Sequence, residues 1–289
     1  MTTSNPEDPG AAALTLMAVH AHPDDEASTT GGILARYSAE GIRTVLVTCT
    51  DGELGDGPGG SKPGQDGHDE ASVVELRRRE LAESCRLLGV TDLELLGYHD
   101  SGMMGWDTNE APQAFWHVPV DVAAGRLAEL MMRYRPQVVV TYDSYGFYGH
   151  PDHIQAHRIT VAALDRAELP AKLYCPTVRR SRLAAFGERA AEAGAELPDV
   201  DQSRFGSPDE DIAATVDCRP WVGAKRAALA AHASQSDNIF FLRMPETAFA
   251  DIFGTEEFIR LRDPTGTLTP ETDLFAGLRP APPTIDGPG

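Results

Sequence analysis

The sequence predicts an α/β fold: a parallel sheet flanked by helices, with a smaller C-terminal α+β region over the site. Three observations carry this. Short apolar, β-branched runs alternate with segments of helical periodicity through most of the first 176 residues. Two polar clusters, His20–Glu26 and Gly149–His153, each follow such a run. Beyond that point the alternation weakens. Regular strand–helix alternation means a parallel sheet covered on both faces, and 289 residues are enough for one large domain with an appendage.

Residues 1–10 carry two acids, two prolines and no basic residue. They lack the charged start and apolar core of a signal peptide, so residues 1–11 are expected to be a flexible end and the protein cytoplasmic. Leu14 to Val19 reads as a buried strand ending at the first cluster. Gly31 to Glu40 has Ile33, Leu34 and Tyr37 at helical spacing and stops at Gly41. Thr44 to Cys49 is a second buried strand. Asp51 to Asp69, rich in Gly, Pro and Asp, reads as a long loop at the same sheet edge. Helix is expected over Ser72 to Leu88, strand over Leu93 to Leu96, helix over Val120 to Tyr134, strand over Gln137 to Tyr142 and helix over Ile154 to Arg166. The catalytic domain thus spans 12–177 and a substrate-capping region 178–289. Within the latter, Val178 to Leu197 reads as helix, Ile212 to Asp217 as strand, Trp221 to Ala233 as helix and Pro280 to Gly289 as a frayed end.

Composition excludes several classes. A net charge of −19 opposes binding to nucleic acid or an anionic membrane surface. No stretch approaches the roughly 20 apolar residues of a membrane helix. The four cysteines are scattered without a CxxC pair, which argues against a disulfide framework or thiolate zinc site.

Ligands and sites of open α/β sheets gather at the carboxyl ends of strands. Both clusters lie there, so they are expected to converge although 128 residues (153 minus 25) separate Asp25 from His153. Zinc accepts imidazole nitrogen and carboxylate oxygen, and a catalytic site leaves a position for water. His22 and Asp25 fit as a ligand pair on one turn, with His153 as the third. Asp24 points away from Asp25 and is placed to take a proton from water whose pKa a metal lowers to about 7. His150 can donate to a developing oxyanion or to the leaving amine, with Asp152 orienting it. Together these describe metal-assisted hydrolysis of an amide or ester. Plainer roles exist for each residue: Asp is a good helix cap, His150 and Asp152 can cap the next helix, and Arg77 to Arg79 can be a solvated face. His20 is either a support behind the ligands or a core histidine. His232 and Gln235 either line the pocket or bridge the two regions. Glu26 either holds a ligand imidazole or serves as an N-terminal helix charge.

The His20–Glu26 motif after a first strand, with the later Tyr148–His153 motif, resembles the bacterial LmbE-like and eukaryotic PIG-L zinc N-deacetylases. The likeness extends to Arg77, Asp100, Ala231–Gln235 and Glu271–Leu278. It is strongest to the actinobacterial enzymes that deacetylate N-acetylglucosaminyl-inositol or cleave mycothiol S-conjugates. It implies a Rossmann-like core, Zn²⁺ (or Fe²⁺) held by His22, Asp25 and His153, and Asp24 as general base and acid. It further implies oxyanion stabilisation by His150, a mobile Tyr148 hydroxyl closing on the carbonyl oxygen, and sugar or inositol hydroxyls held by Arg77 and Asp100. The loop after Thr50 departs from the family pattern. The expected substrate is therefore a small N-acyl amino sugar. A conjugate amidase or natural-product tailoring hydrolase stands as the alternative, and a non-catalytic zinc-binding protein after that. The oligomeric state is not legible.

Overall fold

A computed structural model describes residues 14–184, 206–236 and 241–279. The expected ends, 1–11 and 280–289, lie outside the described residues, as does most of the expected helix Val178 to Leu197; residues 180–184 of it are helical.

The strands are β1 (Thr15–His20), β2 (Arg43–Thr50), β3 (Asp92–Tyr98), β4 (Val138–Val140), β5 (Lys172–Thr177), β6 (Ala214–Asp217) and β7 (Thr255–Arg262). The helices are α1 (Asp25–Thr29), α2 (Gly31–Ala39), α3 (Glu70–Leu88), α4 (Val120–Tyr134), a kinked turn α5 (Gly146–Gly149), α6 (Pro151–Ala167), α7 (Val222–Ala231) and α8 (Glu246–Phe253). One seven-stranded sheet runs in the order β3-β2-β1-β4-β5-β7-β6. Its first five strands are parallel, four of them at the expected runs and β5 an additional one. The last two extend it with antiparallel pairings, β5 to β7 and β7 to β6. The sheet is therefore mixed, and the C-terminal region supplies its last two strands.

Apolar residues line both faces. Leu16, Ala18, Leu46, Val138 and Val140 pack with α2 and α3 on one side. Met17, Val19, Val45, Val47 and Val139 pack with α4 and α6 on the other. That is why β1, β2 and β4 read as unbroken apolar runs rather than alternating ones. Strands β5 and β7 carry no such run. Lys172 opens β5, and its buried ammonium pairs with Glu271. Glu256 and Glu257 lie buried in β7, paired with Lys225 and Arg179. Charges in a strand hide it from a hydropathy reading, and here they are tolerated because each is paired.

The chain leaves β1 to pair with β2 on one side, and β4 joins β1 on the other. Between β1 and β4 the strand order switches direction, so a crevice opens at their carboxyl ends. Both polar clusters emerge there.

Candidate active site

His20 ends β1, and the chain turns through Pro23 and Asp24 into α1. Asp24 has φ +123°, in the region that side chains rarely adopt. The turn holds because its polar atoms are bonded. The Asp25 carboxylate folds back to accept the His22 backbone N–H at 2.8 Å. Glu26 accepts the Asp24 N–H at 2.9 Å. The second cluster begins in the kinked turn α5. His150 caps α6, its Nδ1 accepting the Asp152 N–H at 3.2 Å, and Pro151 occupies the first turn, where no N–H is needed. His153 follows on α6, so its ring faces the crevice.

The clusters meet. The His22 and His153 rings lie 5.3 Å apart, and His22 and His150 4.5 Å. Asp25 joins the two sides: Oδ2 lies 3.3 Å from His22 Nδ1, and Oδ1 lies 3.4 Å from His153 Nε2. His153 Nε2 is buried and has no hydrogen bond, while Nδ1 bonds the Gly146 carbonyl at 3.2 Å. The ring nitrogens of His22, His150 and His153 fall within 4.8 Å of one another, as do ligand atoms of His22, Asp100 and Asp152. This is a candidate metal-binding His/Asp cluster, and His22 belongs to both groupings. Two imidazoles, one of them with an orphaned buried nitrogen, and a shared carboxylate make a donor set that fits a divalent cation.

The buried groups shift one another's protonation. Burial alone raises Asp25, but His153 and His22 outweigh it and hold the carboxyl well below its usual range. Burial lowers His22, yet Asp100, Asp152 and Asp25 together raise it well above an ordinary imidazole. Burial, with His22 and His153 beside it, holds His150 well below the normal range. Asp24 is pushed up to about 6, by burial first and by Asp25, against the pull of Arg77.

Several expected residues stand where the sequence could not place them. The Asp152 carboxylate does not orient His150; it accepts from His22 Nε2 at 3.2 Å, from the Ser101 N–H at 2.9 Å and from the Ser101 hydroxyl. Asp100 lies 3.6 Å from His22 Nε2 and accepts the Gly102 N–H at 2.8 Å. Arg77 is buried; it donates to the Gly52 carbonyl at 2.8 Å and to the Pro23 carbonyl, and lies 3.2 Å from Asp24. Both side chains are thus committed to protein partners. Tyr148 is 37% exposed at the rim, with its ring edge-on to His153 at 4.9 Å. His20 bonds Tyr142 and Thr30. Glu26 holds no ligand imidazole and instead meets His232 at 2.7 Å. His232 and Gln235 bridge the regions, Gln235 bonding both backbone groups of Asp56.

Tyr142 and Ser101 were missed. Tyr142 donates to Asp25 Oδ2 at 2.6 Å and stacks on His153 at 4.0 Å. Its place just beyond β4 was the available signal. Ser101 had none beyond its neighbour Asp100.

Comparison with known proteins places the chain among de-N-acetylases. A family model described as PIG-L, GlcNAc-PI de-N-acetylase, matches residues 17–164. A 1D-myo-inositol 2-acetamido-2-deoxy-alpha-D-glucopyranoside deacetylase of Acidothermus cellulolyticus is 45% identical, across 91% of this chain and 94% of its own. N,N'-diacetylchitobiose deacetylase from Pyrococcus horikoshii shares the fold with a TM-score of 0.57 at 21% identity, over 86% of this chain and 84% of that one. So does GalB, a 4-carboxy-2-hydroxymuconate hydratase from Pseudomonas putida, with a TM-score of 0.55 at 17% identity, over 86% and 96%. One fold thus carries both a deacetylase and a hydratase, and activity has to be argued from the site. Among the described residues, no helix is long and apolar enough to cross a membrane.

Proposed function

The chain belongs to the PIG-L de-N-acetylase family, and from that premise we propose that it is a zinc-dependent N-deacetylase of an acetamido-glucosyl inositol. The carrying observation is Asp25 set between His22 and His153, with the buried His153 Nε2 lacking a hydrogen-bond partner. His22, Asp25 and His153 would hold the ion. When bound, zinc supplies Lewis acidity, lowering the pKa of a water from 15.7 to about 7.

The chain's own groups do the rest. Asp24 takes the proton of the attacking water and returns it to the departing sugar amine; a carboxyl raised to about 6 suits both acts near neutrality. His150 is neutral, and its Nδ1 already accepts the Asp152 N–H. Its proton therefore sits on Nε2, as a donor for the oxyanion. Although the Tyr148 residue is partly exposed, its hydroxyl end is buried, and that burial with nearby Asp25 keeps it protonated, a second donor. The bonds of Arg77 and Asp100 support roles in holding Asp24 and His22, ahead of direct contact with sugar hydroxyls.

Purified protein should release acetate and a free amine from 1D-myo-inositol 2-acetamido-2-deoxy-α-D-glucopyranoside, faster than from bulky N-acyl-cysteinyl conjugates. Asp24→Asn should lower kcat about 100- to 10,000-fold with zinc retained. No acetate from the zinc-loaded protein would overturn the substrate, and an Asp24→Asn variant of full rate would overturn the base.

A further inference from the structure

A buried relay runs from the C-terminal region to the backbone of Asp24. His232, just past α7, is fully buried, and its Nε2 lies 2.7 Å from Glu26 Oε1. The same oxygen accepts the Ser84 hydroxyl from α3 at 2.5 Å. The other oxygen, Oε2, accepts the Asp24 N–H at 2.9 Å. Glu26 is itself fully buried, and three donors, from His232, Ser84 and the Asp24 backbone, fix the direction of its carboxyl group.

Asp24 needs such an anchor. Its φ of +123° is one that a non-glycine residue keeps only when its surroundings impose it. From the opposite side Arg77 grips the Pro23 carbonyl and the Asp24 carboxylate. Four elements thus determine one residue: α1 through Glu26, α3 through Ser84 and Arg77, the 51–69 loop through Gly52, and the chain after α7 through His232. A water-activating carboxylate loses effect when its direction shifts by about an ångström.

We propose that His232 is a positioning residue for Asp24, acting through Glu26, so that the C-terminal region aims the base. This rests on Asp24 being the base, and the experiment separates the two ideas. His232→Leu keeps the volume but removes the donor; His232→Gln can restore an N–H near Nε2; Ser84→Ala removes the second donor to Glu26 while leaving its fold contacts nearly intact. Initial rates on the acetamido-glucosyl inositol, zinc content by elemental analysis, and thermal unfolding are measured for each. Expected is a kcat lowered 10- to 100-fold in His232→Leu and a few-fold in Ser84→Ala, at unchanged KM and zinc content, with His232→Gln recovering most of the rate. In the Asp24→Asn background, His232→Leu should lower the residual rate no further. Unchanged kcat in His232→Leu, a loss in KM or zinc instead, or losses that multiply with Asp24→Asn would overturn the proposal. If His232→Leu does not fold, unchanged kcat in Ser84→Ala overturns it. A fully active Asp24→Asn removes the base itself, a separate result.

Discussion

The two polar clusters reach the same point by opposite means. In the first, polar atoms are tied to protein: His22 through its backbone and both ring nitrogens, Asp25 through Oδ2, Glu26 through both oxygens. In the second, Asp152 is bonded as fully, but His150 and His153 are each tied to backbone through Nδ1 alone and otherwise pack on rings, His150 on His153 at 5.0 Å and His153 on Tyr142 at 4.0 Å. There a buried nitrogen is left without a hydrogen bond. The first cluster is a frame, and the second brings an uncommitted donor to it. A frame fixes carboxylates whose mutual repulsion would otherwise spread them, whereas a spare buried imidazole nitrogen beside a carboxylate is open to a cation or a water.

The sharpest way to break this contrast is His153→Ala. With the uncommitted donor gone, bound zinc measured after dialysis should fall below one ion per chain and acetate release should vanish. Unfolding temperature of the metal-free protein should change little, since the frame is untouched. Retention of stoichiometric zinc would show that His22 binds the ion with Asp100 and Asp152, without His153.

Much of this arrangement was legible in the sequence, for a definite reason. Strands β1, β2 and β4 are buried on both faces and so announce themselves as apolar runs, and the clusters follow two of them directly. The convergence of His22, Asp25 and His153 followed from strand ends sharing one sheet edge. What stayed hidden is where hydrogen bonds were spent. Arg77 could equally bind a sugar or a carbonyl until the loop holding Gly52 was placed. Asp152 could serve either His150 or His22. Strand β7 was concealed because Glu256 is buried in it, its charge taken by Lys225 at 2.6 Å and by the Gly32 and Ile33 N–H groups that open α2. That pair yields the next prediction. Lys225→Met leaves the carboxylate buried without its cation and should destabilise folding by about 3–5 kcal/mol. Denaturant midpoints would register it. Folded molecules should retain nearly normal kcat, because Lys225 ties α7 to Glu256 of β7 and makes no hydrogen bond or ion pair with the site residues.

The smallest expected effect probes the seam between the clusters. Tyr142 belongs to neither, yet its hydroxyl donates to Asp25 Oδ2 at 2.6 Å and accepts from the Ala21 N–H at 2.9 Å, while its ring stacks on His153. With the His22 N–H also on Oδ2, two donors occupy that oxygen, and Oδ1 is left turned toward His153. Tyr142→Phe keeps the stacking and deletes one donor. Outer partners of metal ligands are worth about 10- to 100-fold in metal affinity or activity, so zinc affinity measured with a competing chelator should weaken within that range. Rate at saturating zinc should recover, because Asp24 is held by other contacts. A loss of rate that excess zinc cannot restore would instead place Tyr142 in the chemistry, and the division between a rigid frame and an uncommitted donor would need a third part.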